Sequence, residues 1–277
     1  NNFCTYCIIP YARGRVRSMP LAAAVEETKK LAREGYREIV VNGIEISSWG
    51  WELKNGSRLA DLLLAVCLAA PEVRIRLGSL EPRTIDENFC KTLSVCKNLC
   101  PQFHLSLQSG SDTVLARMNR KYDTARYTES VRLLRQHFPG CAITTDLIVG
   151  FPQETDAEFQ QSLAFIRACG LSKVHIFPYS RREGTPAAKM SGQLPNAVKE
   201  ARAAQAAAAA AQLETAFHAA LIGSEQAVLF EQPEDGRFMG HTPNYVKVYV
   251  LADGLHNELR QVRITSLFRD GVMGELL

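Results

Sequence analysis

Apolar positions over residues 21–180 alternate between two spacings. Over 21–35 they recur at helical intervals, and the run ends on Gly35, a good helix stop. Residues 38–44, Glu-Ile-Val-Val-Asn-Gly-Ile, then read as a buried strand. A helix over 58–69 follows. Further strand-like runs occupy 73–80, 103–109, 143–150 and 173–180, separated by helical patterns over 86–99, 111–137 and 155–169. The 111–137 pattern is expected to break near Lys121–Asp123. This βαβα rhythm predicts parallel strands with helices outside them. Glycine and polar residues gather at the C-terminal ends of these strands, where a parallel barrel builds its active site.

Past residue 190 the pattern changes. Residues 195–222 read as one long helix, with Pro195 near its start, Gly223 at its end and an alanine-rich centre of very high helix propensity. It is expected to be a connection. Beyond it, short strand patterns at 226–231, 238–242, 245–250, 259–266 and 271–277 predict a small β-barrel of OB-like kind. The expected domains are 1–190, a connecting helix at 191–222, and 223–277.

Composition narrows the picture only a little. Apolar residues make up 46%, ample for a core, and the net charge is only +3. Residues 224–277 carry 5 basic against 8 acidic side chains, so the small barrel is no basic RNA grip by charge count. There is no apolar run near 18 residues and no signal-peptide pattern, so no membrane partner is expected. Eight scattered cysteines without a disulfide-like framework suit a reducing, cytoplasmic setting.

The most informative chemistry is Cys4-Thr5-Tyr6-Cys7. Two cysteines at this spacing can be a redox pair, half a zinc site or part of an iron–sulfur site. A thioredoxin-like pair opens a helix, and Ile8-Ile9-Pro10-Tyr11 is a poor helix start. A zinc ribbon needs a second C-x-x-C, and Cys67, Cys90, Cys96, Cys100, Cys141 and Cys169 supply none. Those six read as small buried hydrophobes. Spacing alone leaves iron–sulfur as one open reading.

Several blocks, in order, then match one family. Cys4 to Gly14 (CTYCIIPYARG), Arg76 to Pro82 (RLGSLEP), His104 to Asp112 (HLSLQSGSD) with Arg117 to Tyr122 (RMNRKY), Thr144 to Pro152 (TTDLIVGFP), and Phe177 to Ser180 with Gly184 to Ala188 all fit. The chain resembles the radical S-adenosylmethionine (SAM) methylthiotransferases over essentially its whole length. The resemblance implies an α/β fold: a partial parallel (β/α)6-type radical SAM barrel lacking its first strand, plus a C-terminal all-β TRAM barrel. It implies that Cys4 and Cys7 ligate a [4Fe–4S] cluster to which SAM binds. The first cysteine of the three-cysteine loop would stand one residue before Asn1. A second [4Fe–4S] cluster is expected in an N-terminal domain absent from this sequence.

Site expectations follow from the resemblance. Tyr6, Asn42, Gly43, Glu45, Glu81, Ser106, Gln108, Asp146 and Gly150 are candidate SAM contacts. Glu45 would meet the SAM amino group, and Gly150 would let the adenine approach the backbone. No catalytic residue is expected beyond the cluster and SAM. Arg13, Arg15 and Arg17, with Arg120, could contact tRNA phosphates, a solvated loop being the alternative. Phe238, His241 and Tyr245 could stack on loop bases, or form barrel core instead. Arg181 and Arg182 could pair with a substrate carboxylate.

The implied reaction replaces the C2 hydrogen of N6-threonylcarbamoyladenosine, at position 37 of tRNA, with a methylthio group. The implied partners are a tRNA anticodon stem-loop and an electron donor, and the chain is expected to be a monomer. Relatives acting on isopentenyladenosine or on a ribosomal protein are alternatives within the enzyme class. A tRNA-binding fragment without activity is the alternative outside it, and a thiol–disulfide oxidoreductase on Cys4/Cys7 is a distant one.

Overall fold

The computed structural model describes residues 2–277. After the cysteine loop come α1 (Ile9–Arg13), α2 (Leu21–Arg33), β1 (Glu38–Val41), α3 (Leu59–Ala69), β2 (Arg74–Leu77) and α4 (Glu87–Ser94). Next are β3 (Gln102–His104), α5 (Asp112–Arg117), α6 (Thr124–His137), β4 (Ala142–Val149), α7 (Asp156–Cys169) and β5 (Lys173–Pro178). β1 and β2 pair in parallel, as do β3, β4 and β5. Between these two sheets, Leu80 N–H donates to His104 O and Ser106 N–H to Leu80 O. The five strands therefore stand side by side in chain order.

Local chemistry explains the boundaries. The expected break in 111–137 is there: Asp123 caps α6 by accepting from Arg126 N–H at 2.8 Å. β2 and β3 are shorter than expected, because the residues after them leave the ladder to line the site. Gln108 takes a left-handed φ of 69° there. α1 was not expected. It forms because a proline near a helix start forfeits only an N–H with no intrahelical partner.

Ile75 and Leu77 of β2 join Leu63, Val66, Phe89, Leu93, Phe103, Ile143, Leu147 and Ile166 in the main core. By strand alternation, Arg74 and Arg76 face the opposite side. The alanine-rich helix α8 (Asn196–Ala219) does more than connect. Its Ala206, Ala209 and Ala210 are core residues, and its buried Arg202 bonds Glu154 at 2.8 Å and Asp156 at 2.6 Å.

The last strands are β6 (Glu225–Glu234), β7 (Arg237–His241), β8 (Lys247–Val250), β9 (Leu259–Phe268) and β10 (Gly271–Leu276). They close into a five-stranded barrel in the order β10-β8-β7-β6-β9. Val228, Phe230, Phe238, Val248, Val262 and Val272 fill it. Phe238 is therefore core and is not offered to bases. Gly240 has no room for a Cβ, which would strike the backbone of Leu229 and Phe230.

Candidate functional site

The cysteine loop is wedged between the end of α5 and the 185–189 turn. Thr5 N–H donates to Met118 O at 3.0 Å, Thr5 Oγ1 to Arg117 O at 2.9 Å, and Asn119 Nδ2 to Phe3 O at 2.9 Å. Ala187 N–H donates back to Thr5 O at 2.8 Å. Within the loop, Cys7 N–H closes a turn on Cys4 O at 3.0 Å. Cys4 and Cys7 thus sit on one tight turn as free thiols, Cys4 buried and Cys7 half-buried.

The Tyr6 ring packs against an apolar cluster of Val114, Met118, Phe151, Tyr179 and Ala187, meeting Phe151 edge-on at 6.4 Å, while its hydroxyl reaches Cys4. Burial pushes its hydroxyl well above the usual phenol range.

Arg120 is not where an RNA contact would be. Its Nη1 donates to Cys4 Sγ at 3.1 Å, and its Nε donates to Tyr122 Oη at 2.8 Å. Its guanidinium lies 4.7 Å from the centroid of the Tyr122 ring. Tyr122 in turn donates to Ser106 O at 2.5 Å. Ser106 thereby serves the site through its backbone. The arginine is an internal cation of the cysteine loop, which corrects the expectation that it faces phosphates.

Two acids stand opposite it. Burial and then the neighbouring Glu81 raise the Glu45 carboxyl above its usual range, and Asn2 Nδ2 donates to it at 2.9 Å. Glu81 is buried and forked by Arg83 at 2.5 and 2.9 Å. Asn42 and Gly43 lie on the same loop as Glu45. These four expected residues are brought together with Cys4.

Gln108 and Asp146 lie further along the strand ends. Gln108 N–H donates to Asp146 O at 2.9 Å. Burial opposes the Asp146 charge, but His104, His175 and Gln108 outweigh it and hold the carboxyl below its usual range. His104 Nε2 lies 3.4 Å from Asp146, and the His104 and His175 rings are 5.9 Å apart. Sequence reasoning passed over both histidines. Their signal was position alone, since each shares a strand face with a singled-out polar residue.

Gly150 adopts φ +72° and donates its N–H to Glu154 at 2.6 Å. The space a Cβ would take is filled by the Lys199 side chain of α8. The close approach at this glycine is therefore made by the protein itself and not left for adenine.

Arg13, Arg15 and Arg17 are exposed and line a cavity of about 740 Å³ floored by Leu31, Ile39, Val41 and Leu62. Asn42, Gly43 and Glu45 also line it. Arg181 and Arg182 are exposed on the turn after β5, and a Cβ on Gly184 of that turn would meet Ile8. His241 and Tyr245 lie on the small barrel. They stack on each other at 4.5 Å and 16°, and Arg76 lies 4.5 Å from the Tyr245 centroid.

The model of the radical SAM superfamily matches residues 1–166. The chain belongs to the radical SAM superfamily. It is 38% identical over 275 residues to the threonylcarbamoyladenosine tRNA methylthiotransferase MtaB of Thermotoga maritima, covering 99% of this chain and 63% of that protein. It is 36% identical over 281 residues to the tRNA-2-methylthio-N(6)-dimethylallyladenosine synthase of Alkaliphilus oremlandii, covering 100% of this chain and 60% of that protein. The chain thus spans about three-fifths of the length of these curated relatives. Coproporphyrinogen III oxidase (HemN) from Escherichia coli, a radical SAM enzyme, shares the fold. Its TM-score is 0.55 at 15% identity, over 77% of this chain and 50% of that one.

The superfamily's cofactors are a [4Fe–4S] cluster and SAM, and the residues present fit them. Cys4 and Cys7 are paired free thiols with a cationic N–H donor on one sulfur, as suits thiolate ligands. The half-buried, raised Glu45 carboxyl facing Arg120 suits an ammonium group, which would restore its charged form.

Proposed function

We propose that this chain is the radical SAM and RNA-binding part of a tRNA methylthiotransferase. Its substrate is N6-threonylcarbamoyladenosine at position 37, which it converts to the 2-methylthio derivative. The observation that carries the reading is the joint placement of Cys4, Cys7, Arg120, Glu45 and Glu81 around one loop. Of the two similar relatives, one is by name a tRNA methylthiotransferase and the other a tRNA-2-methylthio-N(6)-dimethylallyladenosine synthase.

When bound, the cluster and SAM supply radical chemistry, the suitable route to an aromatic C–H bond with no acidic proton. The chain's own part is to bind and orient. Cys4 and Cys7 hold iron, Glu45 holds the SAM ammonium, and Asn42 and Gly43 shape that pocket. Glu81 is held in place by the forked contact with Arg83. The packed loop, with Tyr6 sealed among Phe151 and Tyr179, excludes water from one side.

The choice of threonylcarbamoyl over dimethylallyl rests on charge. The former carries a carboxylate and needs a cationic partner, whereas the latter would leave such a partner unpaired. Arg181 and Arg182, exposed beside the cysteine loop, are the proposed partners. The small barrel is read as a TRAM domain contacting the anticodon stem-loop, with Arg13, Arg15 and Arg17 on phosphates. In the proposed organisation 1–190 is the SAM core, 191–222 the connecting helix and 223–277 the TRAM barrel. The full-length enzyme would be a cytoplasmic monomer with a preceding second-cluster domain and a separate electron donor. No described helix is long and apolar enough to cross a membrane.

The test is expression of the full-length gene in a host lacking its own methylthiotransferases, with mass spectrometry of tRNA nucleosides. Methylthio on threonylcarbamoyladenosine supports the reading. Methylthio on isopentenyladenosine alone selects the second reading, favoured by the dimethylallyl-type relative. No modified nucleoside at all rejects both.

A further inference from the structure

Arg74 and Arg76 are buried side chains on a core strand, yet much of their hydrogen bonding goes to the small barrel. Arg76 is 4% exposed. Its Nε and Nη2 fork Glu38 of β1 at 2.6 and 2.9 Å. Its Nη1 donates to Pro243 O at 2.9 Å and its Nη2 to Thr242 O at 3.4 Å. Arg74 donates to His241 O at 3.1 Å and to Ala227 O. The Tyr245 ring meets the Arg76 guanidinium at 4.5 Å and stacks on His241, whose Nδ1 is 2.5 Å from Glu231. Tyr245 also holds a left-handed φ of 64°, a conformation that persists in a bulky residue only when its surroundings impose it.

We propose that Arg76 is a positioning residue for the RNA substrate, acting through Tyr245 to lock the small barrel against β1–β2. The latch fixes the barrel's RNA-facing surface at a constant distance from the cysteine loop. Arg76 lies five residues before Glu81, roughly 16 Å of extended chain at most, so β2 carries the latch and the segment that follows it carries a site acid. Arg76 is too buried to touch RNA, so any effect on RNA binding must pass through the barrel. This rests on the tRNA reading above for its substrate, but the latch itself can be read without RNA.

The test uses the full-length protein and compares Arg76→Lys, Tyr245→Ala and the double variant. Lysine keeps the charge and loses the fork. Tyr245→Ala leaves the Arg76–Glu38 pair intact, so it guards against a variant that fails to fold. Hydrogen exchange over 241–246 should rise in each single variant. Affinity for an anticodon stem-loop should fall about tenfold, SAM affinity should stay unchanged, and the double variant should be no worse than either single one. Unchanged exchange, unchanged RNA affinity, or fully additive losses would overturn the proposal. A wild-type protein that shows a latch by exchange but binds no stem-loop counts against the tRNA reading and leaves the latch supported.

Discussion

Within β2, buried charge is met by the protein at every side. Arg76 has Glu38 at 2.6 Å, two backbone carbonyls of the small barrel, and the Tyr245 ring. Past the C-terminal ends of β1 and β2, Glu45 and Glu81 repel each other, and Glu45 is raised by burial with only Arg120, Ser47 and Asn2 in its favour. Both arrangements bury charge. The first is closed, so its cost is already offset by hydrogen bonds and it serves architecture. The second is left open, so it gains most when a cation arrives.

Removing the thiols should break the open arrangement completely. Cys4→Ala with Cys7→Ala in the full-length protein, reconstituted anaerobically, is expected to lose about four irons and all SAM cleavage. Iron retained at the wild-type level would place the cluster elsewhere. Breaking the closed arrangement should cost stability instead. Glu38→Ala strips Arg76 of its forked partner while the guanidinium stays buried, and is expected to lower unfolding stability by about 3 kcal/mol, read from a urea midpoint at unchanged m. A loss below about 0.5 kcal/mol, the scale of a surface substitution, would mean that the carbonyls and Tyr245 suffice alone.

Much of this contrast was legible in the sequence, though not all. The five parallel strands and the small barrel follow from spacing, because alternation and helical periodicity are local properties. Glu45 and Glu81 were singled out through the family resemblance, at strand ends expected to face a site. Arg120 was misread as an RNA contact. It looks basic and exposed beside Lys121, and only folding brings Tyr122 and Cys4 to it. Gly150 was misread for a similar reason: Lys199, which fills its space, lies 49 positions away in the sequence. The Arg76 latch could not be read at all. Its partners lie in the other barrel, and two arginines in a strand carry no mark of what they bind.

Glu45 sharpens the comparison more gently. Glu45→Gln removes a charge that burial and Glu81 disfavour. The folded-state pKa is raised, so above the ordinary carboxylate range the native Glu45 costs stability that glutamine does not. The variant without SAM should therefore melt higher than wild type at neutral pH. Its affinity for SAM, by calorimetry on the reconstituted protein, should fall about tenfold or more, as expected for losing one hydrogen bond to a charged group. A variant that melts higher and binds SAM normally would remove Glu45 from the site.

Glu158 gives the smallest effect, with the opposite sign. Although burial works against its charge, hydrogen bonds from Arg117 and Thr113 and the Thr155 N–H hold its carboxyl down at about 2, from 4.5. The Arg117 contact is 2.8 Å, and Thr155 Oγ1 and the Glu158 carboxylate cap α7 reciprocally. A depressed folded-state pKa means that the stabilisation is fully present above about pH 4.5 and drains away as pH falls toward 2. Glu158→Gln cannot lose a charge on acidification, so its stability should change less than that of wild type across that window. The two curves should converge at the acid end and separate above it, with wild type the more stable. Melting temperatures across the window check this. Parallel curves would show that the Arg117–Glu158 pair, although well formed, is screened by solvent and belongs with neither arrangement.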